Sequence, residues 1–146
     1  MSQIKFISAK ETYVVRHPVL REGRPIEDCA FDSDEDENTF HLGLYFDSKL
    51  VGVASYIKNN SKLFLEKNQY QLRGMAVLKE YQKKGFGDLL LNEGEKILNQ
   101  KKVDILWFNA REIAFNFYKK NNYQAIGDAF NIPEVGLHYV MFKNFS

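Results

Sequence analysis

Residues Tyr70–Gln100 read YQLRGMAVLKEYQKKGFGDLLLNEGEKILNQ. The run Tyr70 to Leu78 has the composition of a strand, and Gly74 inside it marks a bulge or a point of close backbone approach. A basic turn follows, Gln82-Lys83-Lys84-Gly85-Phe86-Gly87. Leu90, Leu91, Gly94, Ile97 and Leu98 then recur at i, i+1, i+4, i+7 and i+8, which is one face of a helix. Gly94 on that face lets the helix lie close to a sheet. Strand, glycine turn and helix in this order place free backbone N–H groups at a helix start, where an anion binds. Glycines at 85 and 87 remove the Cβ atoms that would hold a ligand off the backbone. The N–H groups of about residues 85 to 89 then converge on a phosphate, helped by the helix dipole and by the charges of Lys83 and Lys84.

Two common occupants of such a turn are excluded. A dinucleotide fingerprint requires a third glycine where Leu90 stands. A P-loop requires Gly-x-x-x-x-Gly-Lys-Ser/Thr, a string found nowhere in the chain. The glycines alone leave an ordinary tight strand-to-helix turn open.

Outward from this stretch, Ile4–Ile7 alternates as a first strand, and Lys10–Leu20 reads as a helix that Pro18 would kink or shorten. Gly23 and Pro25 break the next segment, which forms an irregular connection or a short second helix. Thr39–Phe46 and Leu50–Ile57 read as an antiparallel hairpin closed by Asp47-Ser48-Lys49. Residues 59–68 read as a loop. Val103–Phe108 is a buried-type strand, and Ile113–Asn121 a helix with Ala114, Phe117 and Tyr118 on one side. Tyr123–Ile126 and Leu137–Phe142 complete the strands, linked by DAFNIPEVG. Antiparallel strands followed by β-α-β passages predict a mixed α/β (α+β) fold, a mostly antiparallel central sheet with helices on both faces.

The chain has 146 residues, 45% of them apolar and 14% aromatic, which fits one ordered domain over 1–146. The net charge of +1 supplies no basic field for duplex nucleic acid. No apolar run approaches the roughly 18–20 residues that span a bilayer, and the N-terminus has no signal-peptide core. The single cysteine, Cys29, forms no internal disulfide, suits a reducing compartment and reads as a packing residue. A soluble cytoplasmic protein is expected, without nucleic-acid or membrane partners, and a homodimer is compatible with the sequence. The histidines lack zinc-type spacing, so no metal is expected.

The acidic run DSDEDEN, Asp32 to Asn38, has the D-x-D-x-D opening of a calcium loop. It fails at the sixth position, Glu37, and at the twelfth, Gly43. A solvated loop is the expectation, with attraction of a cationic substrate as its functional version.

The string Gln82-x-x-Gly85-x-Gly87, after a strand with Leu72-Arg73-Gly74-Met75-Ala76-Val77, resembles the pyrophosphate loop of the GCN5-related N-acetyltransferase (GNAT) superfamily. The segment AFNFYKKNNY is similar to that family's A-x-x-F-Y segment through Ala114, Phe117 and Tyr118. Asn122 stands where a glycine is usual and Tyr123 where a phenylalanine is; asparagine is the best substitute in a left-handed helix cap. The resemblance covers nearly the whole chain. It implies acetyl-coenzyme A as donor, with the pantetheine arm along Met75, Ala76 and Val77. The pyrophosphate would sit on Gln82, Lys83, Lys84, Gly85, Phe86, Gly87 and Asp88. Asn109 matches a position that contacts the cofactor arm.

The implied reaction is attack of a primary amine, on a small molecule or protein, at the thioester carbonyl. A backbone N–H near Met75 or Ala76 would stabilise the oxyanion. Tyr118 matches the tyrosine that protonates the departing thiolate, and it also touches the cofactor sulfur. Its alternative is a core tyrosine on an amphipathic helix. Residues 70–77 lack the glutamate base that many relatives place there. His138 and His41 are the candidates to deprotonate the amine, because histidine titrates near neutrality. Arg73 would pair with a carboxylate or line the acceptor pocket. The rival readings are a non-catalytic acyl-coenzyme A-binding regulatory module and an interaction domain with a merely structural glycine turn.

Overall fold

Ser8 and Glu11 close a capping box: the Glu11 N–H donates to Ser8 Oγ (3.2 Å) and the Ser8 N–H to Glu11 Oε1 (2.9 Å). This starts α1 (Ala9–Leu20) directly after β1 (Ser2–Ile7). The helix runs on through Pro18, so the proline does not shorten it. The computed structural model describes residues 1–146. Contacts divide the chain into two compact units, Met1–Ile57 with Leu72–Leu98, and Lys58–Gln71 with Asn99–Ser146.

In the first unit, β1 pairs antiparallel with β2 (Phe40–Phe46), and β2 with β3 (Lys49–Lys58). Asp47 and Ser48 form the turn between β2 and β3, both at left-handed φ (+50° and +70°), as a two-residue hairpin turn requires. The next strand, β4 (Gln69–Val77), begins in the second unit and ends in the first. A 3₁₀ turn, Lys79–Tyr81, leads from it toward α2 (Phe86–Gln100).

Side chains alternate along β3, and the two faces take different helices. Val53 packs with Val15 of α1, joined by Ala76, Ile7, Val19, Leu50 and Leu78. On the other face, Tyr56 donates its hydroxyl proton to the Leu90 carbonyl of α2 (3.0 Å). A Cβ at Gly94 would overlap the Tyr56 ring and hydroxyl. Gly94 is therefore what seats α2 on the sheet, and helices lie on both faces as expected.

The second unit carries β5 (Ile105–Arg111), a 3₁₀ turn (Glu112–Ala114), α3 (Phe115–Lys120), β6 (Gln124–Ile132) and β7 (Gly136–Asn144). Gln69, Tyr70 and Gln71 of β4 pair in parallel with Ile105, Leu106 and Trp107, while β5–β7 and β6–β7 are antiparallel. In the first unit the strand order is β1-β2-β3-β4 and in the second β4-β5-β7-β6, mixed and mostly antiparallel with helices.

Several sequence boundaries need correction. The segment read as a linker, DAFNIPEVG, is mostly strand: β6 continues to Ile132 and turns only through residues 133–135. The register shift between Ile126 and Phe130, with Gly127 at φ +75°, is a bulge that breaks the alternation and hides the strand. The segment read as one helix from Ile113 to Asn121 is a 3₁₀ turn and a shorter α3. No helix is long and apolar enough to cross a membrane.

Candidate functional site

The glycine turn starts α2 on a residue that has no side chain of its own to cap it. Gly85 immediately precedes α2, and its carbonyl accepts the Leu89 N–H (3.1 Å), so it occupies the N-cap position. Serine or aspartate there would satisfy first-turn N–H groups; glycine cannot. Gly85 sits at φ +82°, and an ideal Cβ on it meets nothing within 4 Å. Both the backbone conformation and the open space match a loop that receives an anion on its N–H groups.

The supports of this loop are legible in the side chains. Gln82 donates its amide N–H to the Val77 carbonyl (2.9 Å), tying the turn to the end of β4. Phe86 turns inward, buried, 5.4 Å from the Phe46 ring. Its part in an anion site is thus confined to its backbone. Lys83 and Lys84 are exposed, and Lys83 holds a left-handed φ of +63°. Gly87 and Asp88 fall in the first turn of α2. Met75, Ala76 and Val77 form the last residues of β4. Beside the turn lies a depression of about 460 Å³ lined by Pro18, Val19, Glu22, Leu78, Lys79, Glu80 and Gln82.

A buried polar network under β4 went unrecognised in the sequence. Arg16 of α1 is fully buried. Its Nη1 donates to the Cys29 carbonyl (2.8 Å) and Asp34 Oδ2 (2.7 Å), and its Nη2 to Asp34 Oδ1 (3.0 Å) and Ser55 Oγ (2.9 Å). Asp34 Oδ2 also accepts the Phe31 N–H (2.9 Å). Burial opposes ionisation of Asp34, but the Arg16 guanidinium and the Phe31 N–H outweigh it and hold the carboxyl below its ordinary value. Asp34 therefore departs from the solvated loop expected of the acidic run; Asp32, Glu35, Asp36 and Glu37 remain exposed. The signal was available: an arginine at position 16 falls on the inward stripe of α1 with Thr12 and Val15, and a buried cation demands a carboxylate.

The same network removes His41 as a base. Its Nε2 faces the Asp34 carbonyl (3.0 Å), which can only accept, and its Nδ1 faces the Ser55 hydroxyl (2.7 Å). Both ring nitrogens are engaged in the interior. Gly74, at φ +64°, meets the network too: a Cβ there would lie 2.7 Å from the Phe31 ring and 3.3 Å from Arg16 Nε. The close approach expected at Gly74 is made by the protein's own side chains. Cys29 is buried, and burial pushes its thiol up, in keeping with a packing role.

In the second unit, Tyr118 lies on α3 and is half-buried against Phe108 (ring centroids 4.2 Å), Phe117 and Tyr123. Burial pushes its phenol well above the ordinary value, so it keeps its proton through neutral pH. The helix ends in a Schellman arrangement: the Tyr123 N–H donates to the Tyr118 carbonyl (3.1 Å) and the Asn122 N–H to that of Lys119 (3.0 Å). Asn122 adopts φ +73°, the left-handed cap that glycine would otherwise supply. Asn109 is exposed within β5, opposite Val140, rather than after the strand.

His138 of β7 is buried, opposite Arg111 of β5 and stacked at 5.7 Å on Phe130 of β6. Its Nδ1–H donates to the Gly136 carbonyl (2.8 Å). In the neutral ring this places the lone pair on Nε2.

The Acetyltransferase (GNAT) family model matches residues 6–123. An uncharacterized N-acetyltransferase of Bacillus subtilis (strain 168), YitI, is 37% identical over 143 residues, covering 98% of this chain and 96% of YitI. Among solved structures, the ribosomal-protein-S18-alanine N-acetyltransferase of Escherichia coli superposes with a TM-score of 0.76 at 18% identity, over 100% of this chain and 95% of that one. A PaiA N-acetyltransferase of Thermoplasma acidophilum, solved in complex with coenzyme A, gives 0.69 at 19% identity over 99% of each chain. These two share the fold; the family match and the YitI identity establish kinship. The chain belongs to the Acetyltransferase (GNAT) family, as an acetyl-CoA-dependent N-acetyltransferase.

Proposed function

We propose that the chain moves an acetyl group from acetyl-coenzyme A to a primary amine of a small molecule or protein by direct attack, as one functional domain over 1–146. The observation that carries this reading is the start of α2: a left-handed glycine at the N-cap with open space where a Cβ would be. Pyrophosphate is the part of coenzyme A that such a cradle suits. Gln82, Gly85, Phe86, Gly87 and Asp88 would hold it, with Lys83 and Lys84 adding charge, Met75, Ala76 and Val77 lining the arm, and Asn109 contacting it.

The donor supplies an activated thioester acyl group. Around it, the backbone near Met75 or Ala76 offers hydrogen-bond donors for developing oxyanion charge. Tyr118, protonated at neutral pH, gives its proton to the thiolate that departs as the C–S bond breaks. His138 is assigned the amine's proton, because its lone pair falls on Nε2 when Nδ1–H is held by Gly136. Cys29 as the sole, buried thiol suits a reducing cytoplasm.

The test is thiol release from acetyl-coenzyme A across a broad amine panel, with the acetylated product identified by mass. Transfer to at least one amine supports the reading. Tight coenzyme A binding with no transfer to any amine would favour a regulatory acyl-coenzyme A-binding module.

A further inference from the structure

One aromatic ring in the first unit gathers most of the unbalanced positive charge near β4. The Arg16 guanidinium lies 3.9 Å from the Phe31 centroid, that of Arg73 4.4 Å, and that of Arg21 5.6 Å. Only Arg16 is neutralised, by Asp34. Arg21 gives its hydrogen bonds to backbone carbonyls, of Asp28 (3.2 Å) and Leu20 (3.1 Å), and makes no ion pair. Arg73 makes no ion pair either, and its side chain is exposed on the strand assigned to the cofactor arm. Asp32, exposed, is the other carboxylate whose field reaches Arg73. The Nε of Arg16 is a second sign of incomplete satisfaction: it is buried, without a hydrogen-bond partner, beside Phe31 and Gly74.

We propose that Arg73, set over the Phe31 ring and backed by Arg21, binds a carboxylate of the acceptor, so that the substrate is a small amine carrying an acid group. This rests on the acetyl-transfer reading above and names its acceptor class. The Phe31 ring holds the Arg73 guanidinium at 4.4 Å, and a guanidinium can meet a carboxylate in a two-pronged geometry. Arg73 and Met75 flank Gly74, whose left-handed φ of +64° departs from extended geometry, and two residues span at most about 7 Å. That separation suits an amine and a carboxylate held a few bonds apart on one small molecule. Although Arg73 as a residue is exposed, partial desolvation of its guanidinium and the neighbouring Arg16 and Arg21 charges weigh against the bare cation, and a bound anion would relieve the repulsion. The expectation of a cationic acceptor drawn by the acidic run loses its best carboxylate, since Asp34 is spent on Arg16.

The experiment uses matched acid and amide amines, glycine with glycinamide and a set of other neutral L-amino acids with their α-amides, each assayed for thiol release with the full chain and acetyl-coenzyme A. Coenzyme A affinity and the melting temperature are recorded alongside. The wild-type protein is expected to favour acids over amides by about 10–100-fold in kcat/KM, mainly through KM, the range of a charged contact at a partly exposed site. Arg73→Gln should collapse that ratio toward one, and Arg73→Lys should restore part of it. Equal use of acid and amide by the wild-type protein, or a ratio that survives Arg73→Gln, overturns the proposal while leaving acetyl transfer standing. No turnover in either series while another amine of the broad panel is acetylated overturns the acceptor class alone, and coenzyme A binding with no transfer to any amine overturns both.

Discussion

Replacing Gly85 by alanine separates the anion cradle from ordinary backbone strain, because the fold contains its own control. Gly85 (φ +82°) and Gly127 (φ +75°) are both left-handed, and at both an added Cβ meets no atom within 4 Å. Neither substitution creates a clash within the protein. Each should cost only the left-handed penalty of about 1–2 kcal/mol, which at about 2–4 °C per kcal/mol lowers the melting temperature by about 2–8 °C. The two variants should therefore melt alike. They should differ in coenzyme A binding. At Gly85 the methyl occupies the space in front of the α2 N–H groups and lifts a pyrophosphate off them. Losing one or two hydrogen bonds to a charged group, at about 1.5–3 kcal/mol each, weakens affinity by at least about tenfold and more if two are lost. Gly127→Ala, in the β6 bulge, should bind coenzyme A as wild type. Calorimetric titration with coenzyme A and thermal melts of both variants make the comparison. If Gly85→Ala binds coenzyme A with unchanged affinity while melting like Gly127→Ala, the glycine serves only the turn and the cradle argument fails.

Tyr118→Phe should lower kcat far more than coenzyme A affinity, by about 10²–10⁴-fold if the phenol is the general acid; full activity in steady-state assays would remove it from the mechanism. Asp34→Ala leaves the buried Arg16 guanidinium without its carboxylate and should cost about 3–5 kcal/mol, or about 6–20 °C in apparent melting temperature. Adding Arg16→Met should recover much of that loss, and a double-mutant cycle with no coupling would refute the pairing. The Asp34 carboxyl is held below its ordinary value, so its stabilisation is complete above about pH 4 and disappears as pH falls through the native value. Asp34→Asn should accordingly flatten the acid limb of stability measured by denaturant titration. Gly94→Ala gains about 1 kcal/mol of helix propensity but drives a methyl into Tyr56, with an overpacking cost of about 1–3 kcal/mol or more. A denaturation midpoint above wild type would mean that α2 does not rest on Tyr56.

Local rules carried the sequence reading where a structural signal is short-range. The Asp47-Ser48 turn, the Gly85 helix start, the Gly94 contact face and the Asn122 cap each depend on φ preferences or helical spacing within a few residues. All four appear in the structure. The pyrophosphate-loop and Tyr118 strings likewise point to the family, because each motif is contiguous. Local reading failed at β6, where the Gly127 bulge offsets the period-two alternation on which strand recognition depends.

Long-range partners were beyond it. Arg16 and Asp34 are 18 residues apart, and Arg16 and Ser55 are 39 apart. An isolated acidic run is indistinguishable from a solvated loop until a buried guanidinium claims one of its carboxylates. Likewise, His138 is the favoured base in sequence and His41 a further candidate. Tertiary placement gave both nitrogens of one to interior partners and held Nδ1–H of the other against a carbonyl. The sequence by itself determined most element types, the glycine turn at the start of α2 and the family. Only the tertiary structure decided which charges cancel and which remain around Phe31, because charge pairing is set by proximity in space and not by order along the chain.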